Sequence, residues 1–162
     1  MTVFTETSFD YQLAKNVELT NAITQALGQF IAEENPYILF NGLLERLLEL
    51  TESEYGFIGE VFYNNQGQPY IQSYATTDIS WSKETSELYH KTKQQGLTFS
   101  KLNTLYGEIL TTGNHVIAND PKNDPRSGGL PKGHPPLNTF LGMPFYSDKS
   151  LLGVVGIANR KG

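Results

Sequence analysis

The sequence predicts an α+β domain built on a central antiparallel sheet of about five or six strands. Three observations carry this. Apolar residues recur at helical spacing through the N-terminal third. At Tyr55 the pattern switches to an aromatic, β-branched run. From there, strand-like runs pair as hairpins separated by irregular segments, whereas a parallel sheet needs a helix between successive strands.

Residues 1–9 are expected to be a flexible leader and residues 10–162 a single domain. Ser8 or Asp10 is a candidate cap for the first helix, because a short oxygen side chain accepts from the free amides of the first turn. Leu13, Val17, Ala22, Ile23, Ala26, Leu27, Phe30 and Ile31 form its apolar stripe. Asn35 is the expected N-cap of a second helix, and Pro36 its first residue, where a missing N–H costs nothing. That helix carries Ile38, Leu39, Leu43, Leu44, Leu47, Leu48 and Leu50.

The run YGFIGEVFY from Tyr55 is apolar on both alternations except at Glu60, and so reads as a central strand covered on both faces. Exposure at an edge is the first expectation for Glu60; a polar cavity wall is the other, since an inward carboxylate needs a partner. Asn64 to Pro69 is a turn, and Tyr70 to Thr76 alternates as an antiparallel partner. Residues 82–95 are expected to be a polar helix, with Trp81 before it as an exposed lid or a core anchor. Residues 102–110 form a short helix stopped at Thr112-Gly113, and His115 to Asn119 a third strand. A long Pro-, Gly- and Asp-rich loop follows, then a hairpin of Leu137 to Tyr146 and Leu151 to Asn159 turning at residues 147–150.

Composition excludes several classes. Hydrophobic residues make up 38% of the 162 and charged residues 18%, which places the chain among globular domains. A net charge of −5 argues against a general nucleic-acid binder, which presents a basic patch. The absence of cysteine removes disulfides, thiolate catalysis and thiolate metal sites. No apolar run is long enough to span a bilayer, and the N-terminus lacks the charged and apolar regions of a secretory signal, so a cytoplasmic location is expected.

Several motifs fail on spacing. SGGLPKG, from Ser127 to Gly133, is not a phosphate loop, because Lys132 precedes the last Gly and the segment leads into Pro135-Pro136 rather than a helix. Asp120, Asn123 and Asp124 lack the alternating ligands and distal Glu of a calcium loop; turn formation beside proline explains them, and no metal site is expected. His90, His115 and His134 do not pair at ligand spacing, and Ser127 sits in no nucleophile elbow. No catalytic residue is expected.

The C-terminal third is the most informative part. The pieces GEILTTGNHVIANDP, DPRSGGLPKGHPPL, FLGMPF and GVVGIANR resemble the C-terminal half of GAF domains, the small-molecule sensing modules of bacterial signalling proteins. The resemblance covers about residues 20–160 and is strong from Gly107 onward. It implies a PAS-like sheet with helices on both sides and a ligand cavity on one face, roofed by the Gly/Pro segment. The ligand-binding candidates it implies are Tyr74, Tyr106, Asn119, Asp120, His134, Thr139 and Phe140. Each has a plainer reading: packing for the aromatics, a capping turn for Asn119 and Asp120, and a hydrogen bond within its own loop for His134.

The same resemblance implies a non-catalytic sensor cut from a longer protein, such as a histidine kinase of a two-component system or a cyclase. The alternative is a structural dimerisation domain with a vestigial pocket. The amphipathic first helix, Asp10 to Ile31, is expected to pair with its copy in a homodimer, or else to spend its apolar stripe on the domain's own sheet. The ligand is unknown. Without cysteine a bilin cannot attach covalently, although a tetrapyrrole held noncovalently remains compatible, and the NKxnFxxxDE signature of cyclic-nucleotide-binding members is absent. Methionine sulfoxide reduction, found in some proteins of this fold, requires the missing thiolate.

Overall fold

The computed structural model describes residues 6–32, 35–79, 82–92 and 96–161. The elements run α1 (Glu6–Ala32), α2 (Pro36–Thr51), β1 (Tyr55–Tyr63), β2 (Pro69–Thr76), α3 (Lys83–Thr92), β3 (Thr98–Phe99), α4 (Leu105–Thr112), β4 (Val116–Ala118), β5 (Phe140–Ser147) and β6 (Ser150–Ala158). The strands form one six-stranded sheet in the order β3-β2-β1-β6-β5-β4, and every neighbouring pair is antiparallel.

Three local expectations shift. Helix α1 begins at Glu6, so residues 6–9 are helical rather than loose, and neither Ser8 nor Asp10 is its cap. Residues 1–5 and Trp81 lie outside the described residues. Strand β3 had no signal in the sequence, because a two-residue ladder on Ile71 and Gln72 is too short to show alternation.

Local chemistry sets the remaining boundaries. The side chain of Asn35 accepts from the Tyr37 amide at 3.0 Å, Pro36 opens α2, and Glu52 closes it in the left-handed region. Thr104 accepts from the Gly107 amide at 3.1 Å to start α4, and Gly113, at φ 70°, ends it.

The sheet has an apolar layer on each face. On one, Leu44 with the half-buried Phe40, Leu43, Leu47 and Leu48 of α2 packs on Ile58, Ala75 and Ile157. On the other, Leu105, Ile109 and Leu110 of α4 pack on Phe57, Val61, Ile71, Val116, Ala118, Phe140 and Val154. Glycine permits the close approach of α4: a Cβ on Gly142 would run into Ile109 and Phe140. A bulge between Ile58 and Gly59 leaves Tyr74 as the extra residue of β2, so Tyr74 and Ala75 both meet α2.

Candidate functional site

The candidate site is the segment between β4 and β5, residues 119–139, together with the α4 face of the sheet beneath it. Its two ends are anchored by different chemistry. At the β4 end Arg126 donates from Nε and Nη2 to the two carboxylate oxygens of Asp124, at 2.9 and 2.7 Å, and Nη2 also reaches the Ile117 carbonyl at 2.9 Å. The side-chain bonds from Arg126, then its backbone amide, hold the Asp124 carboxyl down to about 2. Close by, Asp120 accepts from Asn123 Nδ2 at 2.7 Å, which makes a turn.

At the β5 end the anchor is Asn159, a buried residue at φ 57° just beyond β6. Asparagine tolerates this left-handed backbone better than most residues. Its Nδ2 donates to Glu54 Oε2 at 2.8 Å and to the Pro136 carbonyl at 2.9 Å. Its Oδ1 accepts from the Asn138 amide at 2.8 Å. Tyr55 OH donates to the same Pro136 carbonyl at 3.0 Å. One side chain thus ties the loop to the ends of β1 and β6.

His134 lies inside this anchor. Its ring stands edge-on to Tyr55, with centroids 5.7 Å apart, and Nδ1 is 2.7 Å from the Pro135 carbonyl. A carbonyl only accepts, so Nδ1 carries the proton and Nε2 is the acceptor nitrogen. Burial pushes the His134 pKa down, opposed by the bond to Pro135, so the ring is neutral at pH 7. Burial also raises the Tyr55 hydroxyl, with the Glu54 charge adding to it. Between the anchors, residues 128–132 are exposed, while Pro121 and Pro135 are buried. Gly128 lies so close to the Asn103 carbonyl that no Cβ would fit, so glycine lets the loop backbone pass against the start of α4.

The seven expected ligand residues fall in separate places. His134 and Thr139 belong to the β5 anchor; Thr139 Oγ1 accepts from the Arg160 amide at 3.1 Å, and its carbonyl accepts from the Asn159 amide. Phe140 and Tyr106 belong to the apolar layer under α4, where Tyr106 meets Phe99 edge-on and its hydroxyl accepts from the Lys101 amide. Asn119 and Asp120 are exposed beyond β4. Tyr74 stands apart, on the opposite face of the sheet. Its ring stacks on Phe40 at 5.3 Å, and its hydroxyl donates to Glu60 Oε2 at 2.5 Å.

That bond answers the question of Glu60, which is half-buried and paired rather than simply exposed. It also pushes the Tyr74 hydroxyl up to about 12, with burial adding to the effect. Sequence reasoning missed the anchors themselves. Arg126 was legible only as part of DPR, where an acid two residues before an arginine suits a local chelate. Tyr55 read as a strand residue and Asn159 as a strand end. A cleft of about 520 Å³ lies between α1 and α2 and is lined by Lys15, Glu18, Asn21, Ala22, Gln25, Arg46, Glu49 and Leu50. Among the described residues no group of three or more His, Asp or Glu side chains comes together to hold a metal.

Comparison with known proteins places this geometry. A family model described as GAF domain matches residues 33–162. Over 120 residues the chain is 27% identical to a methyl sulfide methyltransferase-associated sensor of Methanosarcina acetivorans. That match covers 72% of this chain but only 11% of the sensor's length. The GAF domain of a phosphoenolpyruvate-protein phosphotransferase from Coxiella burnetii superposes with a TM-score of 0.67 at 17% identity, over 90% of this chain and 79% of that one. A free methionine-R-sulfoxide reductase from Neisseria meningitidis, in complex with its substrate, superposes at 0.59 and 10% identity, over 85% of this chain and 71% of that one. These two likenesses speak to fold alone, and the first shares the six-stranded antiparallel sheet with helices on its faces. With the family match spanning most of its length, the chain belongs to the GAF domain family.

Proposed function

We propose that this GAF domain is a small-molecule-binding sensory module of a longer signal-transduction protein, and that it performs no chemistry itself. The output lies in a kinase domain of a two-component system or in a cyclase domain of the same polypeptide, the protein is cytoplasmic, and it works as a homodimer. The observation that carries the ligand reading is the loop of residues 119–139, pinned at both ends and exposed between them, with His134 Nε2 as an acceptor beside it. Binding sites concentrate on loops held by a rigid scaffold. A ligand with an N–H or O–H group would meet His134 Nε2, and Asn119 and Asp120 would extend the polar side. A reductase role needs a thiolate nucleophile, and the chain has no cysteine.

Mass spectrometry and an absorption spectrum of freshly purified protein test this reading. A bound metabolite released on denaturation supports it, and its affinity should fall at least tenfold in His134→Ala. Affinity unchanged in both His134→Ala and Asn119→Ala would refute the placement. Protein that carries nothing, and whose melting midpoint ignores a metabolite panel, favours the second reading of a structural dimerisation domain. One observation supports that second reading: the α4 face is packed by apolar side chains, including Phe57, Ile71, Ile109 and Phe140.

A further inference from the structure

Glu60 is the only charged residue in the six strands. It stands on the sheet face that carries α2, two residues along β1 from Ile58 of that apolar layer. An acid in such a place normally has a base beside it. Among the described residues no Lys or Arg pairs with it, and the hydrogen bond it accepts comes from Tyr74, to Oε2.

Aromatic rings approach it from three sides. On the β2 side Tyr74 stacks on Phe40 at 5.3 Å and meets Tyr37 edge-on at 5.4 Å. Along β1, Phe62 takes the same face and stacks on Tyr70 at 5.9 Å. On the β6 side Glu60 pairs with Gly153, and Gly153 pairs in turn with Phe145 of β5. A Cβ on Gly153 would run into Cζ of the Phe145 ring, so glycine lets that ring reach over β6 toward Glu60. The rings are open to solvent: Tyr37 is 47% exposed, and Phe62 and Phe145 are 36% exposed.

We propose that this cluster is a second binding site, on the sheet face opposite α4, for a small molecule with a methylated ammonium group. The Glu60 carboxylate meets its charge, and the rings of Tyr74, Phe62 and Phe145 meet its methyl groups. Chemistry selects this class. Aromatic faces attract a cation, and quaternary ammonium groups most typically use several rings at once. A primary ammonium brings three N–H donors, which one carboxylate and a few hydroxyls satisfy poorly; a quaternary ammonium brings none. An anion would meet Glu60 with like charge, and a neutral apolar molecule would cover the carboxylate without a counter-charge. The net charge of −5 also favours a cation.

This site stands apart from the loop of residues 119–139, and failure of either reading leaves the other intact. Rings this exposed hold a cation weakly, so the site empties on purification and the test adds a probe. The probe is choline, followed by isothermal titration up to about 10 mM. Saturable binding is expected. It should weaken at least fivefold for 3,3-dimethyl-1-butanol, which has the same shape without the charge, and for ethanolamine, which has the charge without the methyl groups. Glu60→Gln, which keeps an acceptor for Tyr74, and Phe145→Leu, which keeps an apolar cover over Gly153, should each weaken choline at least fivefold with the near-ultraviolet dichroism of the fold retained. In amide spectra by nuclear magnetic resonance, choline should shift residues 60, 62, 74 and 145. No saturable binding, equal binding of either analogue, or affinity unchanged in both variants overturns the proposal. Shifts confined to residues 127–134 overturn it as well and give the cation to the loop.

Discussion

Replacing Asn159 by alanine should cost about 3–4 kcal/mol of stability. The figure follows from what the side chain does. Removing Oδ1 strands the Asn138 amide; an unsatisfied buried donor costs about 1–3 kcal/mol, and the exposure of Asn138 keeps this one to about 1–2 kcal/mol. Removing Nδ2 takes a donor from the Glu54 carboxylate, worth about 1 kcal/mol after allowance for its exposure. The Pro136 carbonyl keeps Tyr55 OH as a donor, so its loss adds little. Finally, alanine at φ 57° costs roughly 1 kcal/mol that asparagine largely avoids. For a domain of this length the sum corresponds to a fall in melting midpoint on the order of 6–16 °C. Urea denaturation followed by far-ultraviolet dichroism measures it. Asn159→Gly separates the two contributions: it loses the same bonds but accepts the left-handed backbone, so it should be more stable than the alanine variant by about 1 kcal/mol. An alanine variant within about 1 kcal/mol of wild type, or a glycine variant less stable than alanine, would show that Asn159 is not the anchor.

Three other perturbations separate the structural roles. Gly107→Ala should destabilise by about 1–3 kcal/mol despite alanine's higher helix propensity, because a Cβ there would strike the Leu102 carbonyl; a neutral or stabilised variant in the same melt would contradict that packing. His134 is held below its ordinary pKa, so the folded state binds its proton less readily than the unfolded chain, and stability should fall as pH drops below about 6.5 and on through the folded pKa. His134→Asn, which keeps a donor near the Pro135 carbonyl, should flatten that part of the profile in urea midpoints taken at several pH values; an unchanged slope assigns the loss to other groups. Tyr74→Phe removes the donor to Glu60 and should cost about 0.5–1.5 kcal/mol while leaving the affinity of any co-purified ligand unchanged; a large loss of affinity in isothermal titration would move the site to the α2 face.

The fold was legible wherever a period or a cap was long enough to read. Asn35-Pro36 marked the start of α2 because side-chain capping and the missing proline donor are local effects. β1 was legible from YGFIGEVFY because both of its faces are covered by apolar layers, by α2 on one side and α4 on the other. The start of α1 was misread because Ser8 and Asp10, both plausible caps by residue type, fall inside the helix, and β3 because its ladder is two residues long. The site was less legible for a physical reason. Its anchors join residues far apart in the chain, such as Glu54 with Asn159 and Tyr55 with Pro136, and sequence spacing carries no trace of such pairs. Tyr74 illustrates the converse: its ring lies against Phe40 of α2, on the face away from Phe140, because strand membership does not say which side a ring takes.

The two anchors also limit how the loop can signal under the proposed reading. A ligand shifts a conformational equilibrium only by its difference in affinity for the two states. Opening the β5 end would break the Asn159 bonds to Asn138 and Pro136 and the Tyr55 bond together, and opening the β4 end would break the Arg126 bond to the Ile117 carbonyl. Opening the β5 end, with three bonds lost, asks for several kcal/mol, and a thousandfold preference for one state supplies about 4 kcal/mol. Movement confined to residues 127–133 asks for less. Those residues are largely exposed, and Gly129 and Gly133 already sit at φ 79° and 83°, where glycine moves between backbone wells without a side-chain penalty. The cheaper motion is therefore a flap hinged at these glycines, with His134 at its fixed edge. Hydrogen exchange should then show a ligand protecting residues 127–133 while the amides of Asn138 and Asn159 stay slow in both states. Equal protection gained at Asn138 and Asn159 would mean that the anchor itself opens, and the flap would be the wrong moving part.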